Sequence, residues 1–557
     1  MSAIVLVVVA SVSFALGYRL YSRFIGEKIF RLRADFQTPA HELEDGVDFV
    51  PTNRYVLWGH HFTSVAGAAP IVGPAIAVIW GWLPAFLWIV LGTVFFAGVH
   101  DAGALWASVR NKAQSVGAMT ESIVGARARS VFMIVIFLLL LMVNAVFAIV
   151  IAGLFVDVPS SVISAWGVIA VAMVIGVLIY RRGTSLLWPS IIGIAVLYGL
   201  VFAGQYVPIA LPDQVAGLDA PALWVLILFG YAGIASLLPV WLLLQPRDYI
   251  NGLQLFIALG IVFLAVFVAN PQIVAPAINP EPPPGTPPLI PLLFVTIACG
   301  AISGFHGLVS SGTTSKQLDK ETDVQFVGYL GATGEGLLAT ASVIACTAGF
   351  ATLGDWQQFY GAFTAGGVGA FVDGGARIVN AGLGLPLAFS RTLLAVMAVL
   401  FAATTMDTGV RLQRYIIQEW GQIYRIPVLT RPLPATLLAV GSCVVLAFAA
   451  GGSGAGGLII WPLFGTTNQL LAGLTLLVIS VLLLKLGRPV VYTLVPMAFV
   501  LSMTAAALLF QLAGFWNSGD YFLAFLDALI LGAAILVVLE ALAALRRVRK
   551  DQKAVEV

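Results

Sequence analysis

Histidine is scarce in this chain of 557 residues, with five copies in all. His60, His61, His100 and His306 lie within stretches built otherwise of apolar and small residues. Asp101 follows His100 directly, and Glu335 is framed by glycines in Gly331-Ala332-Thr333-Gly334-Glu335-Gly336. An imidazole changes charge near neutral pH, and burial can bring a carboxyl group into the same range. Groups of this kind at membrane depth mark proton relays and ion paths. Glu335 is the best single candidate for a carboxyl that gains and loses a proton. His60, His61, His100 and Asp101 share one level and suit a proton relay, a cation site or a metal site with imidazole and carboxylate ligands. Interfacial anchoring without function is the plain alternative, and no metal site is assigned.

Hydroxyls add a second pattern. Between Cys299 and Lys316, residues Ser303, His306 and Ser310 share one helical face, while Gly300, Gly304, Gly307 and Ser311 form a small-residue stripe that predicts close helix contact. Ser310, Ser311, Thr313 and Thr314 close this run, where hydroxyls suit either cation coordination or helix capping.

These groups need helices to hold them, and two of the helices carry their own interruption. Gly67, Pro70, Gly73 and Pro74 fall within eight residues. They predict a break that frees backbone groups lipid cannot satisfy. A half-helix N-terminus there offers N–H groups to an anion, and the opposing C-terminal end offers carbonyls to a cation; a simple kink is the alternative. A matching interruption is expected at Gly230-Tyr231-Ala232-Gly233, ahead of Pro239. Paired breaks in two oppositely oriented five-helix units are the sign of an inverted repeat with its substrate at the interface. Substrate contacts are therefore expected at Gly67, Ala68, Ala69, Pro70, Gly230, Tyr231, Gly233, Ser303 and His306. Ion coupling is expected at His60, His61, His100, Asp101, Ser310, Ser311, Thr314 and Glu335.

Composition says what solvent surrounds these helices. With 60% hydrophobic and 10% charged residues, the chain has too little polar surface to face water throughout. Apolar runs of about 20 residues, enough to cross a bilayer, recur as about fifteen candidate spans near 3–21, 60–80, 83–108, 130–154, 159–180, 186–204, 221–244, 249–269, 290–311, 324–350, 388–408, 433–451, 456–484, 489–511 and 519–545. All of the 28 Lys and Arg residues except Arg377 and Arg391 fall in alternate loops. The positive-inside rule then puts the N-terminus outside and the C-terminus in the cytoplasm. The expected fold is an all-α polytopic membrane protein. It divides into an anchor helix and cytoplasmic segment (1–57), two five-helix units (58–210 and 211–427) and peripheral helices (428–557).

Several segments read more plainly. Cys299, Cys346 and Cys443 fall in or beside apolar spans and read as small hydrophobes. Asn270–Pro291 is a proline-dense external loop, with a lid as the functional reading. The glycine-rich 361–384 stretch suggests a re-entrant, gate-like hairpin or a loose surface loop. Residues 22–57 read as a mixed-charge cytoplasmic segment, a solvated face or short interfacial helices. Asp407 reads as a helix-end charge or a partner of Arg411, and Asn468 and Gln469 as helix–helix hydrogen bonders.

The runs Gly59-His60-His61-Phe62 with Gly67 to Pro74, Ala298 to His306 followed by Ser311-Gly312-Thr313-Thr314, and Trp461-Pro462-Leu463-Phe464-Gly465 with Asn468-Gln469 resemble the carbon-starvation (CstA) family. The likeness extends from about Asn53 to Leu484. It implies bacterial uptake of peptides or pyruvate during nutrient limitation, and distant kinship to amino-acid/cation symporters of the APC superfamily with a five-plus-five, LeuT-like repeat. The expectation is a secondary active transporter of the inner membrane, without cofactor, importing a carboxylate-bearing small molecule with H⁺, or alternatively Na⁺, as coupling ion. A channel and a membrane-embedded metal enzyme are the competing classes. Lipid and the small-molecule substrate are the expected partners, nucleic acid is not, and the oligomeric state is left open.

Overall fold

The computed structural model describes residues 1–46, 48–182, 187–239, 241–449 and 456–555; the end of the expected 433–451 span lies outside them. α1 (Ile4–Leu16) continues through π turns to Phe30, and a short α2 (Pro39–Glu42) precedes the core. Then follow α3 (Arg54–Val65), α4 (Ala69–Ala77), α5 (Trp82–Gly92), α6 (Gly98–Arg110), α7 (Val116–Ile123), α8 (Ala126–Asp157), α9 (Val162–Arg182) and α10 (Leu187–Gly204). A small hairpin, β1 (Gln214–Val215) with β2 (Leu218–Asp219), leads to α11 (Ala220–Leu237), α12 (Leu244–Ala269), α13 (Leu289–Thr296), α14 (Gly304–Gly312) and α15 (Leu330–Ala348). The chain closes with α16 (Leu353–Phe359), α17 (Val368–Leu383), α18 (Leu387–Ile423), α19 (Pro432–Ala449), α20 (Gly456–Lys485), α21 (Val491–Ser518) and α22 (Tyr521–Val555).

Among the described residues thirteen helices are long and apolar enough to cross a membrane, and α3 with α4, bent by 49°, pass the same test together. The expected count of fifteen treated span nine as continuous. It is instead split, with Ile297–Ser303 outside helix between α13 and α14. This corrects the expected pairing of breaks. α11 runs unbroken through Gly230 and Gly233 to Leu237, and Pro239 lies beyond its end. A glycine inside a helix costs only about 1 kcal/mol, and a proline past the C-terminus interrupts nothing. The broken spans are therefore the second and the ninth.

Side chains satisfy the backbone that the second break frees. Trp88 Nε1 donates to Ile297 O at 3.0 Å and Thr93 Oγ1 to Gly300 O at 3.1 Å. Asn468 Oδ1 accepts from Phe305 N at 2.9 Å, at the N-terminus of α14. Gly300 turns the chain with φ of +90°, a conformation open to glycine at little cost. At the first break Ser342 Oγ donates to Ile71 O at 2.6 Å.

The long helices α8 and α18 pack along each other, with α11 and α19 against both. α12 lies on α3 and α18, and α20 on α14 and α8. α6 meets α14, α15 meets α4, and α9 and α10 pair on one flank. The 361–384 stretch is helical over most of its length, with α17 against α12, α15 and α18. The proline-rich loop is a strap. Ala3 N donates to Pro271 O, Val274 N to Thr347 O, and Trp80 Nε1 to Pro287 O.

Candidate functional site

α6 presents His100 and Asp101, α14 presents His306, and α15 presents Glu335; α6 packs against both α14 and α15, and the side chains meet in one chain. His100 Nδ1 lies 2.7 Å from Asp101 Oδ1, and His306 Nδ1 lies 2.7 Å from Asp101 Oδ2. His306 Nε2 stands 3.0 Å from Glu335 Oε2. All four side chains are at most 1% exposed. Glu335 Oε1 has no hydrogen-bond partner among the described residues. The arrangement is linear, and the described residues hold no convergent group of three or more His, Cys, Asp or Glu suited to a metal ion. Alternating imidazoles and carboxylates at hydrogen-bond spacing can store a proton and pass it along.

α3 ends at the first break and carries the other two histidines. His61 Nδ1 lies 2.9 Å from Thr314 Oγ1, joining the two broken spans. His60 Nδ1 stands 3.2 Å from Asp248 Oδ2 on α12. Gly67, Ala68, Ala69 and Pro70 are buried at the break. A Cβ at Gly67 would stand 2.8 Å from Thr405 Oγ1, so α18 closes on it directly.

Two adjoining cavities share Asp48, Gly312, Lys316, Leu412 and Tyr415 and form one vestibule on the side of the basic loops. One arm reaches His60, Ser64 and Thr408, the other Ser115 and Ser311. Arg110 binds Glu321 through two hydrogen bonds, of 2.5 and 2.8 Å, and Glu321 also accepts from Arg33 N. Burial pushes the nearby Asp323 carboxyl up, against the opposing pull of Arg54.

Other expected residues fall elsewhere. Gly230 is exposed on the outer face of α11, and Gly233 faces Thr436 and Val440 on α19. Tyr231 donates to Asp407 at 2.8 Å and is joined by Arg247. Asp407 thus pairs with Arg247; the alternative partner, Arg411, donates to the carbonyls of Ala235 and Leu238. Ser303 binds Asn468. Ser311 Oγ accepts from Val116 N and donates to Gly307 O, a local capping arrangement. Ser310 Oγ is buried without a partner among the described residues. The sequence reading missed Arg247 and Asp248 because it began span eight at residue 249, whereas α12 begins at Leu244. A charged Arg-Asp pair read as loop was the available signal.

Long apolar helices, two of them broken around buried ionisable groups beside an open vestibule, define a multi-pass membrane transporter. The sequence profile described as "Carbon starvation protein CstA" matches residues 2–355 and 357–507, and the chain belongs to that family. It is 35% identical to the peptide transporter CstA of Campylobacter jejuni, over 90% of this chain and 79% of that one. For the peptide transporter CstA of Bacillus subtilis the identity is 33%, over 94% and 92%. For the pyruvate/proton symporter BtsT of Escherichia coli it is 32%, over 90% and 81%. These relatives are named as transporters, and this chain is not an enzyme. In fold it is similar to a crystal structure of the Eremococcus coleocola manganese transporter, with a TM-score of 0.54 at 14% identity, covering 91% of this chain and 99% of that one.

Proposed function

We propose that this protein imports small carboxylate-bearing nutrients, peptides or pyruvate, across the bacterial inner membrane by proton-coupled symport with alternating access. One observation carries the reading: the buried chain His100–Asp101–His306–Glu335, which crosses from α6 through the broken span to α15. Relatives named as a peptide transporter and as a pyruvate/proton symporter support the same substrate classes and ion. Uptake during carbon starvation follows as the physiological setting.

The mechanical part of the proposal is an inverted repeat with revised membership. α3/α4, α5–α6, α8, α11 and α12 form one unit; α13/α14, α15, α18, α19 and α20 form the other, with α9–α10 inserted in the first. The support lies in matching neighbours. α12 packs on α3 as α20 packs on α13, α11 on α8 as α19 on α18, and α6 on α14 as α15 on α4. Opening of the vestibule towards the basic loops then corresponds to a cytoplasm-facing state. The substrate carboxylate meets the backbone amides near Gly67 to Ala69.

The deciding experiment is uptake of labelled pyruvate and of a labelled dipeptide into proteoliposomes, with H⁺ and Na⁺ gradients imposed separately. A pH step of about one unit should support about tenfold accumulation in one-to-one symport. Accumulation driven by Na⁺ alone would refute the proton reading. Flux that never exceeds equilibration under either gradient would refute symport.

A further inference from the structure

A second acid–imidazole pair stands apart from the deep chain. Asp248 is fully buried in the first turns of α12, and its Oδ1 has no hydrogen-bond partner among the described residues. Oδ2 accepts from Ser64 Oγ at 3.2 Å and stands 3.2 Å from His60 Nδ1. α12 approaches α3 this closely because residue 252 is glycine; a Cβ there would lie 2.7 Å from Thr63 Oγ1. His60 is 12% exposed and lines the vestibule. None of the four members of the deep chain lines it.

The neighbouring charges are mostly committed elsewhere. Arg247, next along α12, is held by Asp407 and Tyr231. On α18 Arg411 is turned to backbone carbonyls. On α3 His61 is held by Thr314. Lys316 and Asp48 line the same vestibule arm as His60. Among the described residues His60 is the basic side chain within 4 Å of Asp248, and it borders the vestibule. An ionised carboxylate with an unpaired oxygen is costly at this depth, and a bound proton removes that cost.

We infer that Asp248 and His60 form the station through which the coupling proton passes into the vestibule, an inference that rests on the proton-coupled reading above. The ring of His60 rotates into line and takes the Asp248 proton at Nδ1, leaving a carboxylate and an imidazolium. The imidazolium then gives its Nε2 proton to vestibule water. A neutral ring remains, donating through Nδ1–H to the Asp248 carboxylate. Ser64 holds the carboxylate in place throughout.

The test uses the full-length protein in proteoliposomes with a trapped pH dye, and labelled pyruvate and labelled dipeptide as probes. In Asp248→Asn, substrate-driven proton flux and pH-driven accumulation are expected to be lost, while exchange of labelled for unlabelled substrate at equal pH persists. His60→Gln should slow the same proton flux with exchange retained. Wild-type accumulation in D248N overturns the inference and leaves the proton-coupled reading standing. Equal loss of exchange and accumulation in a D248N protein of unchanged melting temperature also overturns it, making Asp248 structural. Should D248N fail to fold, wild-type proton flux in H60Q overturns the inference instead. Absence of proton flux in the wild type overturns both readings together.

Discussion

At the scale of single residues, the buried polar groups divide into those that hold the structure and those left with an unpartnered ionisable atom. Asn468 belongs to the first kind, because it receives Phe305 N and donates to Ser303 Oγ and Cys299 Sγ at the second break. Asn468→Ala would strip partners from groups that lipid cannot serve, at about 1–3 kcal/mol for each one left unsatisfied; a lowered melting temperature in detergent is the expected result. Arg247 and Asp407 are at most 2% exposed and paired. Arg247→Met leaves a buried carboxylate unpaired and should cost about 3–5 kcal/mol, whereas adding Asp407→Leu to it should restore much of the loss. A melting series on the two variants would expose a surface-like pair if the first change had no effect. Glu335 belongs to the second kind, with one oxygen on His306 and the other unpartnered among the described residues. Glu335→Gln keeps the shape and removes the titration, so proton-driven accumulation should vanish. Accumulation at wild-type level in that variant would remove Glu335 from the coupling path.

Helices set which of these groups meet. The two interrupted spans lie close enough for His61 of α3 to reach Thr314 just past α14. Glycines in the second break, in α14 and in α11 are read from sequence as packing or breaking signals alike. Only the neighbours tell the cases apart. At Gly300 the backbone takes a positive φ, whereas Gly230 sits in a continuous helix with nothing within 4 Å of its would-be Cβ. Vestibule access gives a prediction at this scale. Cys299, Cys346 and Cys443 are buried, so a cysteine placed at Lys316 should dominate labelling by a membrane-impermeant thiol reagent. Labelling should occur from the cytoplasmic side and slow when substrate is bound. Equal labelling from the external side would contradict the proposed orientation.

Across the whole molecule, the proline-rich strap and the Glu321 hydrogen bonds treat the two faces differently. On one face the proline-rich loop is stitched to Met1, Ala3, Trp80 and Thr347 by hydrogen bonds. On the other, Glu321 ties Arg110 to the N-terminal segment while the vestibule stays open beside it. The proposed alternation between an outward and an inward state would require this asymmetry to reverse. A fluorescent protein fused to the C-terminus should fluoresce in cells if the tail is cytoplasmic, because such fusions fold on that side; darkness from a well-expressed fusion would invert the topology.

Amino-acid order by itself determined the solvent, the approximate spans and the short list of titratable groups, because hydropathy and rare intramembrane charges are local properties. It also determined family membership through motifs around His60, His306 and Asn468, and placed a break at Gly67 to Pro74. Tertiary structure decided the partner of that break, since a helix interruption depends on whether side chains such as Trp88, Thr93 and Asn468 arrive to satisfy the freed backbone. It likewise decided which ionisable groups face each other. Asp101 could be assigned to His306, and Asp248 to His60, only once α6, α12 and α14 had packed, because residues separated by 205 and 188 positions share no local signal.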